Sequence, residues 1–335
     1  MKIADFDTDK NVLVIAEIGN NHEGSYELAE EMIGRAAEAG ANAVKFQTII
    51  PERLISISQT ERINQLRSFQ LSQFEFERLS RVAKNENVLF LSTPFDIESV
   101  SFLDPLVPAF KIASGDNTFF PLLETVAATN KPIILSTGMT SISRIRQSRD
   151  LVRRIWKEVG VDQDIALLHC VGSYPTPLKE ANLSAIIQLK EMGETVGYSD
   201  HTLGIDAAVL SVALGARIIE KHFTLDHNFS KFRDHQLSAD PEEFALLNTR
   251  IQEAIYMMGD GKKEILECEK ENSQLLSRSI VAKGSLPKGT RLEREHLNWV
   301  RPGGGLAPGK EDQIIGKVLK RQVNEGEMLG LEDVE

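Results

Sequence analysis

The feature that most constrains the fold is a two-part unit that recurs along the chain. A short apolar, β-branched run is followed each time by a segment of helical period. The runs are Val12–Gly19, Asn42–Thr48, Val88–Phe95, Ala109–Asp116, Pro132–Met139, Ile165–Pro175, Thr195–His201 and Arg217–Thr224. The helical segments between and after them include Tyr26–Gly40, Phe74–Lys84, Thr118–Asn130, Ile142–Val159, Leu183–Met192, Ile205–Leu214 and Pro241–Met258. Gly40 is placed to end the first of these, because glycine accepts the left-handed conformation of a helix stop. Strands that alternate with helices pair in parallel through βαβ units. Eight units in roughly 250 residues predict an α/β fold, a (β/α)8 TIM barrel. The rival, an open doubly wound sheet, often carries a G-x-G-x-x-G turn after its first strand, and that motif is absent here.

The 335 residues carry a formal net charge of −11. An acidic surface argues against nucleic acid or an anionic membrane as the main partner, yet a locally basic site can still take an anionic substrate. Two cysteines, Cys170 and Cys268, make no disulfide framework and fit a reducing, cytoplasmic setting. The N-terminus shows no signal pattern, and no apolar run approaches the roughly 20 residues of a membrane span.

The composition changes after Gly261. Residues 1–261 read as the barrel, 262–277 as a charged linker, and 278–335 as a small, mostly β domain rich in Gly and Pro. The tail repeats itself: Leu286, Gly289, Leu292 and Leu297 match Val323, Gly326, Leu329 and Val334 at one constant offset. Two copies of such a pattern predict a pseudo-symmetric β domain. Its size is near the lower limit for independent folding.

Barrel enzymes place reactive groups at the C-terminal ends of the strands. Those ends offer Glu17 with Asn20, Asn21 and His22; Lys45 and Gln47; Ser92 and Thr93; Lys111, Ser114 and Asp116; Ser136 and Thr137; His169, Ser173 and Tyr174; Ser199, Asp200 and His201; and Glu220, Lys221 and His222. The seventh and eighth strands are neighbours in such a barrel, so His201 and His222 converge. Two imidazoles with open positions suit a divalent cation, although two distant histidines taken alone are a weak signal for one. Lys45 and Lys111 are costly to bury without anionic partners. Structural salt bridges to Glu17 and Glu220 would serve. So would a small polyanion carrying carboxylate and phosphate, held by the lysines and the surrounding hydroxyls. His22 fits either the mouth or a turn hydrogen bond. Trp156 and Trp299 read as packing residues.

IAEIGNNHEG, AVKFQT, FLSTPF, KIASGD, PIILSTGM, YPTP, YSDHT and EKHFTLD occur in order over almost the whole chain. In them the chain resembles the sialic acid synthases, including the pseudaminic and legionaminic acid synthases. The tail, with NWVRPGGGL, resembles their antifreeze-like (SAF, β-clip) domain. The resemblance implies condensation of phosphoenolpyruvate with an N-acetylhexosamine, N-acetylmannosamine or a relative, to a nine-carbon 2-keto-3-deoxy acid. It implies a divalent metal, Mn²⁺ or Mg²⁺, on His201 and His222. Phosphoenolpyruvate would be held by Lys45, Thr93, Lys111, Ser114, Ser136 and Ser199. The sugar would be held by Glu17, Gln47, Asp116, Tyr174, Asp234 and Arg301. Glu17, Lys45, Lys111 and Tyr174 would be catalytic, with Glu17 assisting proton transfer. It also implies a domain-swapped homodimer in which Arg301 serves the partner's barrel.

Three stretches depart from the family pattern. The loop FSKFRDHQLSADP carries Lys231 and Arg233, Asp116 stands where some members have Glu, and the sequence after His169 is CVGSY. They leave the sugar open, including a diacetamido-hexose. Two other readings of the residues remain: a metal-free Schiff-base pyruvate aldolase using Lys111, and a sugar- or polymer-binding module built on the tail.

Overall fold

The computed structural model describes every residue from Met1 to Glu335. The chain forms two compact units, Met1–Gly259 and Asp260–Glu335. No helix is long and apolar enough to cross a membrane.

The first unit contains eight barrel strands: β1 (Leu13–Gly19), β2 (Ala43–Thr48), β3 (Leu89–Pro94), β4 (Phe110–Ile112), β5 (Ile133–Ser136), β6 (Ile165–Cys170), β7 (Thr195–Asp200) and β8 (Ile218–His222). Their order is 3-2-1-8-7-6-5-4, all parallel. β3 and β4 lie against each other at the remaining joint, so the barrel is nearly closed. The helices start and stop where local chemistry dictates. Ser25 accepts the Leu28 N–H at the start of Tyr26–Glu38. Asp240 and Glu243 form a reciprocal cap on Pro241–Met258, with proline in the first turn. The helix Ile142–Val159 stops at Gly160, whose φ of 71° is left-handed.

Side-chain direction alternates along each strand, and this alternation divides the molecule into two cores. Val14, Val44, Phe90, Phe110, Leu135, Leu167, Tyr198 and Ile219 point outward and pack under the helices. Leu13, Ile15, Ala43, Leu91, Ala109, Ile134, Ala166, Leu168 and Ile218 point inward and fill the lower barrel. The N-terminal ribbon, Lys2–Ile3 against Phe6–Asp7, plugs this end by adding Met1, Ile3 and Phe6. Gly197 is an inward position with no room for a side chain. A Cβ there would meet Ile218 O at 2.3 Å and a Leu168 methyl at 2.4 Å.

In the second unit, β9 (Ser279–Ala282) pairs antiparallel with β10 (Leu297–Val300). The sequence repeat is an approximate two-fold axis. Leu286 and Val323, matched in the repeat, pair with each other through N–H···O bonds of 2.8 and 3.0 Å. Val281 pairs with Met328 as Arg291 pairs with Val318, and Ala282 pairs with Leu297 as Leu319 pairs with Val334. Gly289 donates to Leu319 O and Gly326 to Ala282 O, both at 2.8 Å. The matched apolar residues Leu292, Leu297, Val323, Leu329 and Val334 share one core. The charged stretch before β9 is not extended throughout: Lys270–Leu276 is helical. Helix advances about 1.5 Å per residue against about 3.3 Å for extended chain, which shortens its reach.

Trp156 is buried in the outer core and donates its indole N–H to Ala127 O at 3.0 Å. It is a packing residue. Trp156→Ala should cost about 3–5 kcal/mol in denaturant unfolding; a loss below about 1 kcal/mol would contradict this packing role.

Candidate active site

Above the apolar floor, the same alternation delivers a polar layer. Continuing the inward positions upward gives Glu17, Lys45, Thr93, Lys111, Ser136, Cys170, Ser199 and Glu220, one from each strand. All eight line one cavity at the C-terminal mouth, together with Gln47, Ser114, Tyr174, His201, His222 and Asp234. Parity also sorts the other strand-end candidates. Ser92, His169, Asp200 and Lys221 fall on outward positions and do not line the cavity. His169 bonds Ala181 O at 2.8 Å and stacks on Tyr198. Lys221 pairs with Asp200 at 2.9 Å, while Asp200 also accepts from Thr202 N–H and Oγ at 2.8 Å, which pins the chain after β7.

The floor of the mouth is a buried group of two lysines and two glutamates. Glu17 Oε2 lies 2.7 Å from Lys45 Nζ. Glu220 spans both lysines, 3.8 Å from Lys45 and 3.3 Å from Lys111, and accepts from Ser199 Oγ at 3.0 Å. Lys45 donates to Thr93 Oγ1 at 3.1 Å. Gln47 Nε2 donates to Glu17 Oε1 at 2.9 Å, and Gln47 Oε1 accepts from Asn20 Nδ2 at 2.9 Å. The salt bridges expected of a purely structural role therefore form. They do not satisfy the layer, however. Ser136 Oγ is buried with no hydrogen-bond partner, a deficit that native proteins rarely leave without a ligand or water to meet it.

Burial competes with ion pairing in the titration here. It pushes the Glu17 carboxyl upward despite Lys45. It opposes ionisation of Glu220 too, but Lys111 and then Lys45 hold that carboxyl at about 2. It lowers the Lys111 ammonium, which Glu220 only partly restores. On Lys45 burial is outweighed by Glu17 and Glu220, so that ammonium is raised.

Tyr174 and the two histidines form the adjoining wall. The His201 and His222 ring centroids are 5.4 Å apart, and Tyr174 lies 4.0 Å from His201 and 6.0 Å from His222. His201 Nδ1 is 2.8 Å from Val171 O, so this nitrogen carries the proton and Nε2 keeps a lone pair. Burial lowers His222 to about 3, leaving it neutral, and its Nδ1 is buried without a partner. Burial acts on His201 in the same sense but is outweighed by Cys170, so a cation there would compete with a proton. An unpaired buried imidazole nitrogen beside a second ring with a fixed tautomer fits a divalent cation.

The remaining candidates separate. Ser114 Oγ accepts the Gly138 N–H at 3.0 Å. Asp116, in the 3-10 turn after β4, does not line the cavity. Burial raises its carboxyl to about 6. Arg301 belongs to the second unit, and its side chain is exposed. Lys231 does not line the cavity, whereas Arg233 does, its guanidinium 4.9 Å from the Tyr174 ring centroid. The sequence gives no warning of Arg62, which reaches the cavity from the helix Thr60–Phe69 inserted after β2. In sequence that stretch reads only as a polar loop.

A nearly closed barrel with buried charged and hydroxyl-bearing residues gathered at its C-terminal mouth is laid out as a barrel enzyme's active site. Comparison with known proteins gives the family. The NeuB family profile matches residues 32–263, and the SAF domain profile matches residues 277–335. The chain is 43% identical to an uncharacterized protein of Methanocaldococcus jannaschii, covering 96% of this chain and 94% of that one. It is 38% identical to the N,N'-diacetyllegionaminic acid synthase of Campylobacter jejuni, covering 96% and 99%. A crystal structure of N-acetylneuraminic acid synthetase from Leptospira borgpetersenii superposes with a TM-score of 0.76 at 37% identity, over 81% of this chain and 94% of that one. The chain belongs to the NeuB family, whose named members are sugar-acid synthases.

His22 is buried and does not line the mouth; its Nδ1 accepts the Gly24 N–H at 3.1 Å. Burial lowers it from 6.5 to about 4. The unfolded chain therefore takes up the proton first as pH falls below 6.5, and stability drops from there down to the folded value. By pH 5 this one residue accounts for about 2 kcal/mol of the loss relative to pH 7. His22→Gln should shrink the pH 7 to pH 5 stability difference by about that amount in denaturant titrations. An unchanged difference would contradict the assignment.

Proposed function

We propose that the protein condenses phosphoenolpyruvate with an N-acetylated amino sugar to a nine-carbon 2-keto-3-deoxy sugar acid and releases phosphate by C–O cleavage. The observation that carries this reading is the convergence of two buried lysines and a ring of hydroxyls beside two histidines at one mouth. Lys45 and Lys111 give charge-assisted contacts to the carboxylate and phosphate of phosphoenolpyruvate. Thr93, Ser114, Ser136 and Ser199 complete that cradle.

The acceptor sugar lies on the Gln47, Tyr174 and Asp234 side, with its open-chain aldehyde toward the histidines. His201 and His222 would hold Mn²⁺ or Mg²⁺, which when bound supplies Lewis-acid polarisation of a carbonyl oxygen. C3 of phosphoenolpyruvate attacks the aldehyde carbon, and the aldehyde oxygen gains a proton. The cation left at C2 is stabilised by the carboxylates of the floor. Water adds to C2 and loses a proton. The C2–O bond to phosphate then breaks, leaving the keto group and inorganic phosphate. Glu17, whose carboxyl is raised by burial, is placed to hold and return one of these protons. N-acetylmannosamine and a diacetamido-hexose are both within this reading.

The test is phosphate release from phosphoenolpyruvate across a panel of N-acetylated hexosamines. Turnover should vanish on chelation and return with Mn²⁺ or Mg²⁺. Lys111→Ala should raise KM for phosphoenolpyruvate about 10- to 100-fold, the scale of a lost charged hydrogen bond. Full activity after chelation would overturn the metal's role. Pyruvate trapped on Lys111 by borohydride, without phosphate release, would favour the Schiff-base alternative, toward which the lowered Lys111 ammonium points.

A further inference from the structure

Lys221 and Asp200 are buried charged side chains that do not line the catalytic cavity and take no part in the proposed chemistry. They face each other in the ladder between β7 and β8, on the outward side. Lys221 Nζ lies 2.9 Å from Asp200 Oδ2 and donates to Thr202 O at 2.5 Å. The other carboxylate oxygen of Asp200 accepts the N–H and the hydroxyl of Thr202, both at 2.8 Å. One ammonium therefore grips the residue before and the residue after His201, and it is carried by the residue before His222. Two further bonds hold His201: its carbonyl accepts the Thr176 N–H at 2.8 Å, and its Nδ1 donates to Val171 O.

Packing alone gives no reason for charges at these two positions. Two residues earlier, on the same strands and the same face, stand Tyr198 and Ile219, both in the outer core. A buried ion pair is often worth no more to stability than an apolar pair of like volume, because desolvation offsets the attraction. An apolar pair, however, cannot bond Thr202, which lies past the end of β7 and whose N–H and C=O are taken by these two side chains. The imidazoles they flank stand 5.4 Å apart by ring centroid. A cation shared by both rings needs each donor nitrogen at about 2 Å, and a misplacement of more than about 0.5 Å leaves such a site loose.

We propose that Lys221 and Asp200 are positioning residues for a divalent cation on His201 and His222. Their clamp fixes the spacing of the two imidazoles and so sets the affinity for the ion without touching it. This rests on the metal-binding part of the function proposed above. It adds that half of the cation site is built on the side of the strands that faces away from the cavity.

The test is Mn²⁺ titration of the metal-stripped, full-length protein, read from the electron paramagnetic resonance of the free ion, so that no turnover is needed. Wild type should bind Mn²⁺ at a single site. Lys221→Met should raise the Kd about tenfold or more, the usual scale for a residue that supports a metal-ligating histidine. This change strands Asp200, so the double variant Asp200→Asn, Lys221→Met, which removes both charges together, is measured beside it and should show a loss of the same size. Trp156→Phe, which loosens the outer core outside the cavity, is the control. It should keep the wild-type Kd although its unfolding midpoint falls. A cooperatively folded double variant that binds Mn²⁺ as tightly as wild type would overturn the proposal. So would an equal loss of affinity in Trp156→Phe, since affinity would then follow stability and not the clamp, and so would failure of both clamp variants to fold, which would make the pair a requirement of the barrel itself. Wild type that binds no Mn²⁺ would remove the metal from the proposed function and the clamp's role with it. The expected Mn²⁺ pattern without phosphate release from phosphoenolpyruvate by wild type would remove the synthase reading and leave the clamp standing.

Discussion

The mouth of the barrel depends on one interaction, the shared pairing of Glu17, Lys45, Glu220 and Lys111. Each side chain is buried, and a lone charge at such depth would cost several kcal/mol. The four are supplied by β1, β2, β8 and β4, so their pairing also fixes how these strands sit against one another at the top. Removing one partner of a buried pair strands the other, which makes the group rigid as well as charged. Under the proposed function, phosphoenolpyruvate would meet lysines that are already desolvated and would exchange with their carboxylate partners.

The polar mouth is affordable because the rest of the interior is apolar. Along β2 the inward sequence is Ala43, Lys45, Gln47, and along β8 it is Ile218, Glu220, His222. Each strand changes from packing to chemistry within two residues. The ribbon from Met1 to Asp7 seals the lower end, so the polar layer opens only to the mouth. Outward positions of the same strands anchor the helices and, through Asp200–Lys221, brace the loop that carries His201.

Much of this is legible in the sequence because it is local and periodic. The helices Ile142–Val159 and Pro241–Met258 fall where their apolar periodicity puts them. The tail repeat foretells a pseudo-symmetric β domain, and the structure adds that the matched Leu286 and Val323 pair with each other. Strand ends give the polar layer, and period-two alternation separates Lys45 and Glu220 from Ser92 and Lys221. What the sequence hides is long-range. Asp116 sits in a 3-10 turn that no periodicity marks and does not line the cavity. The place of Arg62 in the cavity depends on how the insert from Ile49 to Ser72 folds back, and a polar stretch carries no register that would show this. Strands are also shorter than their apolar runs, β4 most of all, because residues at the mouth leave the ladder to build loops.

The central claim is that this charged floor directs phosphate departure from carbon, not from phosphorus. The most direct measurement uses phosphoenolpyruvate labelled with ¹⁸O in the bridging oxygen between C2 and phosphorus, turned over with an accepted amino sugar. Attack of water at C2 followed by C–O cleavage sends the label into inorganic phosphate, detectable by mass spectrometry. Label found instead in the keto oxygen of the sugar acid, measured before it can exchange with water, would mean P–O cleavage and would contradict the account.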